Sequence, residues 1–389
     1  MNSYKHLDVF MQGRKVGTLA VTPERTVAFA YDRKWLADGF SLNPFSLPLT
    51  DKVFIPKYDP FDGLFGVFAD SLPDGWGRLL VDRFLLYKGI NPETVDSLNR
   101  LAIVGNSGMG ALTYYPTHEL TTEQAKKSYD AIAEECMSVL KMDYSEDLDT
   151  LFLLGASSGG ARPKIFTTID HEGWIIKFPA AYDSADIGLE EYQYSECARH
   201  CGIEMADTRL FPSERCSGYF GTKRFDLRGK RRIHMLSVSA LLETSHRIPN
   251  LDYHILMKLT MQLTNDYTDI EKLFRLMCFN VFAHNRDDHS KNFSFLYDDM
   301  EDRWFLSPAY DLTYSSSIGG EHATTVNGNG LNPGMKDIMA VADNIKLNRQ
   351  KALDIAGSIQ DTVSTELGAF IRRKNGRIYS PAPNGYSTT

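Results

Sequence analysis

Apolar and polar positions change period several times along the chain, and these changes divide it. Near the N-terminus HLDVFM, VGTLAV and TVAFAY alternate or cluster β-formers around Gly and Asp breaks, which predicts short strands. Residues 51–74 are rich in Phe, Pro, Asp and Gly and read as irregular. WGRLLVDRFLLY (76–87) has helical spacing and stops at Gly89. A second helix is expected to start near Pro92, followed by LAIVGNSGMGALTYYP, read as a turn feeding a strand. Residues 121–142 read as an amphipathic helix, and the acidic patch 144–150 as a linker. A second β-rich block follows, with IFTTI and WIIKFP flanking a turn at 170–173, a helix at 189–201 capped by Gly202, and a strand GYFGTKRFD. From about residue 235 the pattern turns helical. Helices are expected at 251–263 and 268–282, then a break at HNRDDHSKN and a hairpin, FSFLYDDMEDRWFLS. Two more helices are expected near 335–343 and 348–373.

Length and composition narrow the class. The 389 residues are too many for one ordinary core and suggest two or three units. The balance of 42 basic and 50 acidic residues, −8 overall, argues against nucleic-acid binding over the whole surface, which runs on Lys and Arg neutralising phosphates. No apolar run approaches the roughly 18 residues of a membrane span, and the first residues lack the apolar core of a signal peptide. Five thinly spread cysteines read as reduced thiols in a cytoplasm. Membrane, secreted, fibrous and disordered classes are therefore not expected.

Four features between residues 155 and 311 carry chemistry. The first is GASSGGARPK (155–164), where Gly and Ser can expose successive backbone N–H groups to a phosphate. It matches neither GxxxxGK[ST] nor GxGxxG, and a flexible turn has the same composition. The second is Lys177 in WIIKFP. A buried ammonium needs a partner, and a strand Lys beside ATP phosphates is the kinase arrangement; an edge-strand Lys reaching water is the plain alternative. Glu190, Glu191 and Glu196 on the following helix are candidate partners, or a solvated face. The third is HNRDDHSKN (284–292). Asp287 and Asn292 stand five apart, as do a kinase catalytic Asp and its metal-binding Asn. The fourth is Asp311 in SPAYDLTYS, which follows the predicted hairpin as a second Mg²⁺-binding Asp would, and which alone is equally a turn residue. The same segment permits a transition-metal site of His284, Asp288 and His289, although the spacing fits no common pattern. Cys197, His200 and Cys201 share a helical face, as zinc ligands or as packing. Ser157 and Ser158 fail the GxSxG test for a hydrolase nucleophile.

Taken in order, these motifs resemble the HipA family of toxin kinases from bacterial toxin–antitoxin pairs. FADSLPDGWGR and LAIVGNSGMGALTY are similar to the family's N-terminal subdomain, and GASSGGARPK, IIKFP, KRFD, DDHSKN and YDLTYS to its kinase core. DxHxKN followed by a strand pair and YD is the specific signal. Where family members read GAQEK this chain reads GARPK, with Arg162 and Pro163 in place of the family's residues. The resemblance implies an α+β, two-lobed, protein-kinase-like (HipA-like) fold with an added β-rich N-terminal subdomain. Its expected parts are 1–118, a small lobe at 119–225 and a helical large lobe at 226–389. It implies that Gly159, Gly160, Ala161, Arg162, Pro163 and Lys164 form the loop over the phosphates and that Lys177 holds them. Lys223, Arg224 and Phe225 would line the adenine. Asp287 would be the general base. His289, Ser290, Lys291 and Asn292 would line the phosphate end beside Tyr310. Asn292 and Asp311 would hold Mg²⁺. Autophosphorylation is implied at Ser157 or Ser158. The implied activity is ATP- and Mg²⁺-dependent phosphorylation of Ser or Thr on a cytoplasmic protein, of the aminoacyl-tRNA synthetase class. The implied partner is a small helix-turn-helix antitoxin (HipB-like), through which alone the chain would meet DNA. Two other readings stay open: a nucleotide-binding regulatory subunit of a repressor complex without transfer, and a metal-dependent phosphohydrolase. If Asp287 is the base, Asp288→Ala is expected to cost much less transfer than Asp287→Ala.

Overall fold

The computed structural model describes residues 3–118, 127–142, 148–155, 158–317 and 319–378. They form two compact units: residues 1–192, 206–248 and 290–307 in the first, and 193–205, 249–289 and 308–389 in the second.

Among the described residues the first unit holds three larger antiparallel sheets and a two-stranded ribbon, Leu227–Arg228 with Arg231–Arg232. The strands expected near the N-terminus form, as His6–Met11, Arg14–Val21 and Val27–Tyr31. They join a five-stranded sheet in the order Val53–Phe54, Val27–Tyr31, Arg14–Val21, His6–Met11, Leu112–Tyr115. Period-two alternation puts Leu7, Val9 and Met11 on the buried face. Residues 51–74 are mostly irregular, with one helical turn, Gly66–Ala69.

LAIV differs from its sequence reading: it closes a helix, Ser97–Val104. A short apolar run does not distinguish strand from helix by period, and the caps decide. The Asp96 side chain accepts the Asn99 N–H at 2.8 Å, and Gly105 ends the helix at φ +53°. The 121–142 pattern yields the helix Tyr129–Leu140, whose Ser128 cap accepts the Ala131 N–H. Residues 119–126 and 143–147, which include parts of the expected helix and linker, lie outside the described residues.

The second sheet runs Lys164–Ile169, Glu172–Lys177, Tyr219–Lys223, Thr208–Phe211. Its first hairpin turns through Asp170 and His171, both at positive φ, the conformation that a two-residue turn needs to match strand twist. The helix Gly75–Tyr87 packs on this sheet. Trp76, Leu80 and Phe84 share a core with Leu151 and Phe152 from the helix Leu148–Gly155 and with Ile165 and Ile176 from the strands. Each such side chain contributes about 1.5–3 kcal/mol of burial. The third sheet is His234–Ser237, Ser294–Asp298, Arg303–Leu306. Helix therefore begins after residue 237, at Val238–Leu241, slightly later than the pattern implied.

The second unit is mainly helical, with Tyr253–Thr264, Tyr267–Phe282, Met335–Asn344, Arg349–Glu366 and Gly368–Ile378. The last two replace the single helix expected over 348–373, because the chain breaks at Leu367. The helix Ile187–His200 begins in the first unit and ends in the second.

Candidate active site

Lys177 ends the strand Glu172–Lys177 with its side chain almost wholly buried, ion-paired with Glu191 Oε1. Glu191 is itself buried, on the helix Ile187–His200. The Phe220 ring lies 5.5 Å from Lys177 Nζ and supplies a further attractive face. A desolvated ammonium and carboxylate are each costly, and pairing offsets that cost. Lys164 is the direct cross-strand partner of Lys177, so the two side chains leave the same sheet face. Its ammonium donates to the Gly159 carbonyl, at the mouth of the Gly-rich loop.

That loop is gripped from outside its own segment. The Gly160 N–H donates to Asp74 Oδ1, and the Gly160 carbonyl accepts the Trp76 N–H at 2.9 Å. Gly160 sits at φ +82°, a conformation open to glycine. The two residues that depart from the family's loop have local roles. Arg162 pairs with Asp183 through Nε at 2.9 Å and Nη2 at 3.2 Å, and the Pro163 carbonyl accepts the Phe178 N–H at 2.8 Å. Ser158 is fully buried, its hydroxyl donating to the Gly155 carbonyl at 2.6 Å. Ser157 lies outside the described residues.

Residues 284–292 straddle the two units, and each part is held by its own. In the first unit, the Ser290 and Phe293 carbonyls accept the N–H groups of Ser239 and Val238 at 3.1 and 2.9 Å, which fixes the segment around Lys291 and half-buried Asn292. The Ser290 hydroxyl is buried and, among the described residues, has no hydrogen-bond partner. Lys291 Nζ reaches Asp74 Oδ2 at 2.6 Å. Burial works to raise the Asp74 carboxyl; the Lys291 ammonium and the hydrogen bonds from Lys291 and Gly160 outweigh it and hold the carboxyl below its ordinary value. Asp74 is thus a site residue that the motif reading overlooked. Its only sequence signal is a polar Pro-Asp-Gly corner ahead of an apolar helix.

In the second unit Asp287 and Asp288 part company. The Asp287 side chain is 64% exposed, with His289 Nε2 3.9 Å from its Oδ1. Asp288 is buried and accepts the Tyr253 hydroxyl at 3.0 Å, His322 Nδ1 at 3.0 Å and the Thr324 N–H at 3.2 Å. Asn280 extends this network, donating to the Tyr253 oxygen at 2.9 Å and accepting from Asn285 at 2.9 Å. Asp311 lies on the loop after the third sheet, in a left-handed conformation (φ +53°) that non-glycine residues seldom adopt and that clusters at functional sites. A parallel bridge between Asn285 and Ser315 ties its loop to the start of the Asp287 segment.

Other expected residues are engaged elsewhere. Lys223 pairs with Glu172 at 3.2 Å, and the Arg224 guanidinium packs on the Phe166 ring and bonds to buried Asp226. Phe225 and Tyr310 are half-buried. His200 bonds to Glu366 at 2.8 Å, while Cys197 and Cys201 are buried as free thiols. Among the described residues no three His, Cys, Asp or Glu side chains are grouped to hold a metal ion. The donors expected for Mg²⁺, the Asn292 amide and the Asp311 carboxylate, are of the hard-oxygen kind that Mg²⁺ takes from a protein in ones and twos, the rest of its shell being water and phosphate.

Comparison with known proteins gives the family. The chain matches the HipA N-terminal domain over residues 7–115 and the HipA-like C-terminal domain over residues 156–367. It is 25% identical over 344 residues to the Sinorhizobium fredii protein named "Putative kinase Y4dM", spanning 82% of this chain and 80% of that protein. A chain of the solved complex of HipA, HipB and operator DNA from Shewanella oneidensis MR-1 superposes with a TM-score of 0.68 at 17% identity, over 97% of this chain and 92% of that one. The proinflammatory kinase CtkA of Helicobacter pylori gives only 0.37 at 13% identity, over 55% of this chain and 93% of that one. The fold is the mixed helix-and-sheet, kinase-like fold of HipA. Since the C-terminal domain model spans more than half of the chain and the N-terminal model most of what precedes it, the protein belongs to the HipA family.

Proposed function

We propose that this chain is an ATP- and Mg²⁺-dependent serine/threonine protein kinase, the toxin half of a HipA-type toxin–antitoxin pair. The observation that carries the reading is the buried Lys177–Glu191 pair, the strand-to-helix pairing with which kinases aim a lysine at nucleotide phosphates. A binding module has no need of an exposed carboxylate five residues before an amide, yet Asp287 and Asn292 supply one. The metal-hydrolase reading is weakened because Asp288, which it needs as a ligand, is committed inward to Tyr253, His322 and Thr324.

In this mechanism the protein positions groups and neutralises charge. Lys177, steadied by Glu191, and Lys164 face the phosphates. Asp287 orients the acceptor hydroxyl and takes its proton as the new O–P bond forms and the bond to ADP breaks. Asn292 and Asp311 would hold Mg²⁺, which offsets phosphate charge when bound. The acceptor is a Ser or Thr on a cytoplasmic protein, of the aminoacyl-tRNA synthetase class that the family resemblance implies. The partner is a small helix-turn-helix antitoxin; the Shewanella complex, titled as a toxin–antitoxin system with operator DNA, supports this assignment. No described helix is long and apolar enough to cross a membrane. Autophosphorylation at Ser158 would require its hydroxyl to leave the Gly155 carbonyl and reach solvent.

The test is transfer itself. Phosphatase-treated protein is incubated with Mg²⁺-ATP, alone and with lysate, and phosphate is followed by intact mass. Asp287→Ala and Asp311→Asn should each remove transfer. Wild-type protein that binds ATP but never phosphorylates itself or any lysate protein would refute the kinase reading in favour of a regulatory subunit. Steady phosphate release without phosphoprotein would mark a hydrolase.

A further inference from the structure

We propose that Asp74, Gly75 and Trp76, a corner of the HipA N-terminal domain, act as the latch that holds the phosphate loop ready for ATP, with Asp74 as the positioning residue. The inference rests on the nucleotide-binding reading above. The corner grips the loop at both backbone groups of one residue, Gly160, and again at its end. Asp74 Oδ1 takes the Gly160 N–H, and the Trp76 N–H binds the Gly160 carbonyl at 2.9 Å. The Trp76 indole N–H binds the Lys164 carbonyl at 3.1 Å. The other Asp74 oxygen holds Lys291 at 2.6 Å, so one carboxylate orients both a loop amide and a lysine of the DxHxKN segment. Gly75 lets the corner come this close: it sits at φ +43°, and a Cβ there would lie 2.4 Å from the Gly160 carbonyl oxygen.

The corner is anchored in a core. Trp76 is 1% exposed in the core shared by the helix Gly75–Tyr87 and the second sheet. Gly160, with no side chain of its own, depends on what holds its peptide. Asp74 falls within the N-terminal domain match, whereas Gly160 and Lys291 fall within the C-terminal one. The first domain therefore completes the second's nucleotide loop. Because the corner bonds to the loop and to Lys291, its loss should weaken ATP capture and spare turnover at saturation.

The test uses the full chain and a fluorescent ATP analogue. Asp74→Ala removes both bonds and should weaken analogue binding about tenfold or more, raising KM for ATP equally with kcat little changed. Asp74→Asn keeps an acceptor for Gly160 and should fall between Ala and wild type. Hydrogen exchange over residues 158–165 should quicken in the same order. In a double-mutant cycle with Lys291→Met the effects should be non-additive. Ala binding the analogue as wild type does, with unchanged exchange, overturns the latch; so does a stability loss with no change in affinity. If wild type fails to bind the analogue while exchange still follows the graded order, the nucleotide reading fails and the grip on the loop stands. Should Asp74→Ala not fold, wild type still decides, because a Gly160 amide exchanging at the free-loop rate refutes the grip.

Discussion

Asp287 and Asp288 are one peptide bond apart, chemically identical, and opposite in surroundings. The first faces solvent; the second is buried among Tyr253, His322 and Thr324. The DxHxKN register pointed to Asp287 as the base. Burial of Asp288 adds something the register did not carry, since its partners stand 34 to 36 positions away. Asp288→Ala strands a buried hydroxyl and a buried imidazole, each costing about 1–3 kcal/mol. Its denaturant midpoint should fall accordingly, whereas Asp287→Ala should change stability by no more than about 0.5 kcal/mol. Equal midpoints for the two variants would mean that the network does not hold the loop. Asp74 was invisible at this scale for the same reason, its partners being Gly160 and Lys291.

Elements were the most legible scale, because their period and caps are written in neighbouring residues. The strand carrying Lys177 and the helix after it were read correctly, but three glutamates on that helix were equal candidates as its partner. Helix phase chose. Glu191 turns inward to Lys177, while Glu196 pairs with Arg199 nearer the surface. A buried pair is destabilised most by losing one member, since the other is left charged and unpaired. Glu191→Ala should therefore cost about 3–5 kcal/mol in urea denaturation. The double variant Lys177→Met/Glu191→Leu should recover much of that, though not nucleotide binding. A double variant no more stable than the single would refute this account of the pair. LAIV was misread for a related reason: its identity depended on an Asp cap before it and a Gly after it, more than on its own apolar run.

Across the whole molecule, one buried histidine, His234, and one half-buried one, His284, link stability to pH. Burial lowers His234 to about 4, against a raising hydrogen bond to the Leu42 carbonyl. It lowers His284 to about 4 as well, with Arg286 and His322 adding to the effect. Both are neutral in the folded chain, while the unfolded chain protonates them near pH 6.5. Unfolded protein thus binds more protons between about 6.5 and about 4, and stability is lost as pH falls through that window. Each histidine contributes a slope approaching about 1.4 kcal/mol per pH unit. Denaturant midpoints from pH 7 to pH 4.5 should show this slope, and His234→Gln, which can still donate to Leu42, should flatten it. An unchanged slope in that variant would clear His234 of the role. The family domains and the compact units also divide the chain differently. The first unit takes in the N-terminal domain together with three separate pieces of the C-terminal one, which is how an N-terminal aspartate comes to hold a C-terminal loop.

By itself the sequence determined the succession of strands and helices and the order of the kinase-like motifs: a Gly-rich loop, Lys177, the Asp287–Asn292 spacing and Asp311. These are local facts, carried by residue type and by spacings of a few positions. Only the tertiary structure decided which of two adjacent aspartates is buried, which of three glutamates meets Lys177, and that Asp74 reaches Gly160 and Lys291 across 86 and 217 positions of chain. Burial and pairing are made by residues far apart in sequence, and no local period records them.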